Sequence, residues 1–231
     1  MIVLGMDTSG YSNAVGVVDG DRVLADFTCE ARTDSLEQIV ANIDSALEAA
    51  GLTLKDVEGI GVGLGPGSWT GIRVGVTVGK MLAFSTGKPV CGVPTLEALA
   101  YQARGASNLV CAVISVGAGG AVYAACYRPV DKSVNRVGDY YVGDVKGLAG
   151  MITDSAVLVG KDAEQYARTL KQESGIRLEA VEAVPDGAAV ASLAARRLER
   201  GERDDVLSLT PLYLKESTAK AFVNKYRSTH R

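Results

Sequence analysis

The chain has 231 residues, 47% of them hydrophobic, and a formal net charge of −3, which allows one large or two small domains, each with its own core. No apolar run approaches the roughly 18 residues that mark a membrane span. The opening Met1-Ile2-Val3-Leu4-Gly5-Met6 has neither the basic flank nor the cleavage site of a signal peptide, so it reads as a first strand.

In chain order, residues 2–8 are a continuous apolar strand ending in Asp7-Thr8-Ser9-Gly10. Residues 13–19 and 22–30, joined across Gly20-Asp21, extend it to a three-stranded antiparallel sheet. A helix follows over 34–50, closed by Gly51, with the apolar stripe Leu36, Ile39, Val40, Ile43 and Leu47. A fourth strand over 59–64 leads into Gly65-Pro66-Gly67-Ser68-Trp69-Thr70-Gly71-Ile72-Arg73-Val74-Gly75 and a helix reaching residue 84. A short strand over 88–93 and a helix capped by Thr95 and running to 104 complete the order βββαβαβα, that of a ribonuclease-H-like unit.

Gly105-Ala106-Ser107-Asn108 marks a boundary between a domain of residues 1–105 and one of residues 106–231. The second begins the pattern again, with strands over 109–115, 121–127, 134–142 and 157–160, a short helix over 144–151, and helices over 163–173 and 186–200. The repeated order predicts an α/β protein with a duplicated ribonuclease-H-like fold. The last helix has the option of packing back on the first domain.

The turn at residues 65–75 is the most informative stretch. Gly65 and Gly67 permit backbone angles that a Cβ disfavours, and Pro66 holds one φ between them. Ser68 or Thr70 caps the helix start, leaving free N–H groups aimed outward. Such a turn serves as an anion cradle or as a tight connection, and its geometry alone does not choose. It is not a P-loop, because no Lys follows Gly71, and it is not a dinucleotide fingerprint, because Thr70 stands where the third Gly belongs. Gly71, Gly75 and Gly79 recur every four residues along the helix, each costing about 1 kcal/mol relative to Ala. Close packing against another backbone, within the domain or in a partner, is the expected compensation.

Other chemistries are excluded by composition. His230 is the single histidine, so no His-based metal site and no Ser-His-Asp or Cys-His set exists. Cys29, Cys91, Cys111 and Cys126 lie in apolar strand-like contexts and read as buried free thiols in a reducing, cytoplasmic compartment. Residues 1–100 hold 6 Lys and Arg against 12 Asp and Glu, which disfavours a nucleic-acid surface there. Lys215, Lys220, Lys225, Arg227 and Arg231 face only Glu216 at the other end, in a basic tail that reads as a solvated terminus, the alternative being contact with RNA phosphates. Asp7, Thr8 and Ser9 are weak candidates for a nucleotide site; the competing reading is a hairpin turn in which Asp7 bonds its own backbone.

Asp-Thr-Ser after the first strand, Gly-Pro-Gly-Ser-aromatic-Thr-Gly-x-Arg after the fourth, Gly92-Val93-Pro94-Thr95-Leu96-Glu97-Ala98-Leu99 and Pro211-Leu212-Tyr213-Leu214-Lys215 together resemble the TsaB (YeaZ) family. The resemblance covers most of the chain and singles out Gly65, Pro66, Gly67, Ser68, Thr70, Gly71 and Arg73 as its motif. It implies an actin-like ATPase superfamily fold and a non-catalytic scaffolding role in forming N6-threonylcarbamoyladenosine at position 37 of tRNAs that read A-starting codons. It further implies the catalytic subunit TsaD and the ATPase TsaE as partners, tRNA contacted indirectly through the complex, and a homodimer when the chain is alone. No metal or cofactor is implied for the chain itself, with ATP or ADP held only in the assembled complex. The family's His-Ser-Glu element here reads Ser35-Leu36-Glu37, and its Asp-Ala-Arg-Arg-Gly-Glu reads Val116 to Ala121, a plain hairpin turn. The partner surface expected is the outer faces of the two long helices, with Ala41, Ala46 and Ala49 on one and Arg73 and Lys80 on the other. The alternative from another class is a small actin-like ATPase or kinase using the cleft between the halves.

Overall fold

A computed structural model describes residues 1–10, 12–30, 38–117, 120–152 and 155–215. The altered Ser35-Leu36-Glu37 segment, Leu36 of the first stripe, the centre of the 116–121 turn and the basic tail from Glu216 onward lie outside them.

Strands β1 (Ile2–Asp7), β2 (Ser12–Asp19), β3 (Arg22–Glu30), β4 (Gly59–Gly63) and β5 (Val90–Val93) form a sheet in the order β3-β2-β1-β4-β5. The first three are antiparallel, whereas β1, β4 and β5 are parallel. The second half repeats this with β6 (Leu109–Val116), β7 (Ala121–Val130), β8 (Ser133–Asp144), β9 (Ala156–Gly160) and β10 (Leu178–Glu182), ordered β10-β9-β6-β7-β8. The duplicated fold expected from the repeated element order is the fold observed. The sequence reading omitted β10, whose alternating Leu178-Glu179-Ala180 stretch pairs in parallel with β9. The short helix expected over 144–151 is a 3₁₀ turn at Lys146–Met151.

Among the described residues, five α-helices complete the layers: α1 (Ile39–Ala49), α2 (Trp69–Thr86), α3 (Thr95–Gln102), α4 (Ala163–Ser174) and α5 (Gly187–Glu199). α1 and α2 cover the outer face of the first sheet, where Leu4, Met6, Ile60 and Val62 meet Ile43, Leu47, Ile72 and Val76 in one core. α4 covers the outer face of the second sheet. Between the sheets lie α3 and α5, exchanged between halves: α3 packs on β6, β7 and β8, while α5 packs on β1, β2 and β4. The central core therefore mixes residues of both halves, including Leu96, Leu99, Val190 and Leu193.

Glycines permit the α5 contact. A Cβ on Gly5 would lie 2.8 Å from Ala191 Cα, and one on Gly61 would lie 2.8 Å from Ala194 Cβ. Gly16 and Gly187 face each other backbone to backbone at the helix start. Real Cβ atoms do not tolerate such distances, so helix and sheet approach to near backbone contact and exclude solvent over the alanine-rich face. Asp186 caps α5 by accepting from Ala189 N–H.

Two expectations about α1 are corrected. Ala46, expected on a partner surface, is fully buried (0% exposed) against the first sheet. Val40, expected in the buried stripe, is 56% exposed. The stripe that packs is Ile39, Ile43, Ala46 and Leu47, because a face centred on Ile43 and Ala46 turns Val40, Ala41, Asp44 and Glu48 outward. Cys29 is likewise exposed, unlike the other three thiols.

Candidate functional site

Because β1, β4 and β5 are parallel neighbours, their carboxyl ends share one edge of the sheet. The three segments that leave that edge are Asp7-Thr8-Ser9, the Gly65 turn and Pro94-Thr95. Ligands bind at this edge in open α/β sheets, and here the segments bind each other.

Asp7 is 1% exposed. Its Oδ1 accepts from Ser9 N–H at 2.8 Å and Ser9 Oγ–H at 2.6 Å, and its Oδ2 accepts from Thr95 Oγ1–H at 2.7 Å. Burial pushes the Asp7 carboxyl above its ordinary range against the opposing pull of the Ser9 and Thr95 hydrogen bonds. The Thr95 hydroxyl also accepts from Gly65 N–H at 3.1 Å and lies 3.0 Å from Ser9 Oγ. Thr95 N–H donates to Gly65 O at 2.8 Å. Thr95 was expected to cap its helix; the cap position is Pro94, and Thr95 turns its side chain into this network instead. Nothing local in the sequence marks it as a hub, because its partners lie 30 and 88 residues away.

The turn itself is held from the other side. Gly65 sits at φ +91°, in the region that favours glycine. Ser68 is the cap of α2 and accepts from Gly71 N–H, while Thr70 is exposed on the first turn. Ser68 N–H donates to Ser9 O at 2.6 Å, and Thr8 Oγ1–H donates to Gly71 O at 2.7 Å. A Cβ on Gly71 would strike Thr8 O, one on Gly75 would strike Thr8 Oγ1, and one on Gly79 would strike Val62 Cγ2. The small-residue face of α2 thus packs within the domain. Pro66 is buried and Gly67 fits against Ser9 O.

Residues 203–215 run as a strap over the first half. Leu212 N–H donates to Leu64 O, and Lys80 Nζ donates to Leu207 O and Leu209 O, both at 2.9 Å. Lys80 is therefore spent inside the chain. Arg73 Nε donates to Tyr213 OH at 3.0 Å, and its guanidinium lies 5.1 Å from the Trp69 ring centroid. Trp69 and Tyr213 stack at 4.5 Å.

A cavity of about 440 Å³ joins the halves, lined by Asp26, Gln102, Lys161, Glu182 and Asp186. Burial raises the Asp186 carboxyl to about 6, with Asp26 nearby adding to the rise. None of these is a site candidate in the sequence, because they come from five separate elements and loops. Among the described residues, no three His, Cys, Asp or Glu side chains group as metal ligands would, and no helix is long and apolar enough to cross a membrane. As a phosphate-and-magnesium loop the Asp7 segment fits poorly, since its carboxylate oxygens already accept three internal hydrogen bonds.

Comparison with known proteins places this geometry. The family model described as TsaD, tRNA N6-adenosine threonylcarbamoyltransferase, matches residues 29–225. The tRNA threonylcarbamoyladenosine biosynthesis protein TsaB of Bacillus subtilis is 31% identical over 128 residues, 55% of this chain and 56% of that protein. The chain thus aligns with little more than half the length of that relative. The structure of YeaZ from Pseudomonas aeruginosa superposes with a TM-score of 0.80 at 24% identity, covering 92% of this chain and 99% of that one. A ROK hexokinase from Thermus thermophilus shares the fold at a TM-score of 0.55 and 16% identity, over 86% of this chain and all of its own. With the family model spanning most of the chain and relatives named TsaB among its matches, the chain belongs to the TsaD family on its TsaB (YeaZ) branch.

Proposed function

We propose that this chain is a non-catalytic subunit of the assembly that forms N6-threonylcarbamoyladenosine in tRNA, and that it supports a TsaD-type catalytic subunit in the cytoplasm. Family membership supplies the pathway. The observation that carries the non-catalytic role is the closed Asp7 network: the carboxylate where an actin-like ATPase would hold phosphate and magnesium is buried and consumed by Ser9 and Thr95.

The contact surface proposed is the outward side of α1 and α2. Ala41, Ala49 and Arg73 remain exposed there, as do Val40, Met81 and Phe84. Ala46 has no part in it, and Lys80 contributes only its aliphatic stem. The same surface serves a second copy when the catalytic subunit is absent. TsaE and tRNA join through the assembled complex, as does any ATP or ADP.

Reconstitution tests the proposal. The purified chain, mixed with the TsaD-type protein of the same cell, a threonylcarbamoyl donor and tRNA, should raise modified adenosine at least tenfold over the mixture without it. Alone, it should neither modify tRNA nor turn over ATP. Robust ATP turnover by the isolated chain, lost on Asp7→Ala, would overturn the scaffold in favour of the small-ATPase reading.

A further inference from the structure

Cys111 on β6 and Cys126 on β7 stand directly opposite each other in the antiparallel pairing of those strands. The two-residue period of a strand sends both side chains to the same face, into the core under α4 with Val113, Val122 and Ala124. Residues opposed in this way have Cα atoms about 4.5–5.5 Å apart, inside the roughly 4.4–6.8 Å that a disulfide spans. Both are free thiols, 0% and 3% exposed. Neither takes part in the Asp7 network.

Burial alone makes a thiol inert, as at Cys91, where it pushes the thiol up to about 11. The facing pair differs because its two sulfurs meet. Cys111 donates its S–H to the Cys126 sulfur, which holds the Cys126 thiol below its ordinary value and raises that of Cys111. Cys126 donates in turn to Met151 O at 3.9 Å, in the 3₁₀ turn at Lys146–Met151. Leu148 of that turn packs in the same core as both thiols, while Gly147 and Gly150 are exposed. A single 3₁₀ turn with two exposed glycines opens more readily than the strands and helix around it. Cys126 is therefore the sulfur nearer to solvent and the better nucleophile, with Cys111 behind it.

We infer that Cys111 and Cys126 form a modification site, a dithiol that a peroxide closes into a cross-strand disulfide, with Cys126 reacting first and Cys111 resolving it. The Cys126 sulfur attacks one peroxide oxygen and the O–O bond breaks. The departing hydroxide takes the Cys126 proton and leaves as water, and Cys126 becomes a sulfenic acid. The Cys111 sulfur then attacks the Cys126 sulfur. The S–S bond forms as the S–O bond breaks, and hydroxide leaves with the Cys111 proton as a second water. Two thiols are oxidised to one disulfide, and one hydrogen peroxide is reduced to two waters. In a reducing compartment the pair rests as thiols, and a thiol reductant reverses the step. The site stands independently of the tRNA-modification reading.

The test exposes the full chain, purified reduced, to hydrogen peroxide at a dilution where sedimentation shows monomer, and then blocks remaining thiols with N-ethylmaleimide in urea. Mass spectrometry should find, in most chains, Cys111 and Cys126 joined and lighter by two hydrogens. Cys91, which faces Gly61 across its sheet, should stay fully blocked. Dithiothreitol should restore both thiols of the pair. In Cys111→Ala, dimedone should trap a sulfenic acid on Cys126, whereas in Cys126→Ala it should leave Cys111 unlabelled. The inference is overturned if both thiols remain free once exposed Cys29 is oxidised, or if either one pairs with a different cysteine. Oxidation of Cys91 as fast as the pair, or dimedone on Cys111, would overturn it too. The mapping on the unaltered chain needs no variant to fold.

Discussion

Thr95→Val isolates the hub that closes the sheet edge. Valine keeps the shape and branching of threonine, so no cavity opens around this fully buried position. What is lost is one hydroxyl that donates to Asp7 Oδ2 at 2.7 Å and accepts from Gly65 N–H at 3.1 Å. A hydrogen bond to a carboxylate is worth about 1.5–3 kcal/mol and a neutral one about 0.5–1.5, and buried partners left unpaired keep the loss near the upper end. The expected destabilisation is about 2–4 kcal/mol, read from urea unfolding at neutral pH with the slope unchanged. Asp7 also loses a hydrogen bond that held its carboxyl down, so its pKa should rise further. Because Ser9 Oγ shares Asp7 and lies 3.0 Å from the Thr95 hydroxyl, Thr95→Val and Ser9→Ala should couple by ~0.5–3 kcal/mol in a double-mutant cycle. A loss below about 1 kcal/mol for Thr95→Val, or strict additivity with Ser9→Ala, would show that these contacts are not the network described.

Four further outcomes are expected. Gly75→Leu drives a side chain into Thr8 and should cost about 1–3 kcal/mol or more; an unchanged thermal melt would mean that the helix has room to move away. Ala46→Arg should unfold the chain rather than merely separate subunits, since it places a charge in the core. Ala41→Arg, on the exposed side of the same helix, should weaken self-association and partner binding together while the melt stays within about 0.5 kcal/mol of wild type; loss of one association alone, by sedimentation and pull-down, would separate the two surfaces. Asp186 has a folded pKa near 6 against the ordinary 3.8, so the fold holds its proton more tightly than the unfolded chain does. Its favourable contribution is complete below pH 3.8 and is lost as pH rises through 6, a difference of at most about 3 kcal/mol. Asp186→Asn keeps a capping side chain and should flatten stability between pH 4 and 6 relative to wild type. Melts that stay parallel across that range would count against the burial argument.

Local pattern was enough for the repeated element order apart from β10, because most strands and helices carry their own periodicity: the apolar run of β1 and the hairpin signal at Gly20 are examples. The Gly65 turn was legible for the same reason, since a glycine-rich break between a strand and a capped helix is a short-range event. The α1 face was misjudged by a small rotation. Val40 and Ile43 fit one stripe and Ile43 and Ala46 another, and only the direction from which the sheet approaches chooses between them.

The sequence by itself determined the duplicated α/β order, the lack of histidine chemistry and the family motif, all of which depend on residue type at short spacing. Tertiary structure decided what those residues do. Parallel pairing of β1, β4 and β5 brings Asp7, Gly65 and Thr95 to one edge, and there Asp7 is satisfied by the protein itself. The exchange of α3 and α5 between the sheets, the strap that occupies Lys80 and Arg73, and the exposure of Met81 and Phe84 follow from contacts between segments far apart in the chain. No window of local sequence encodes such contacts, because their energies arise only when distant surfaces close on each other and exclude water.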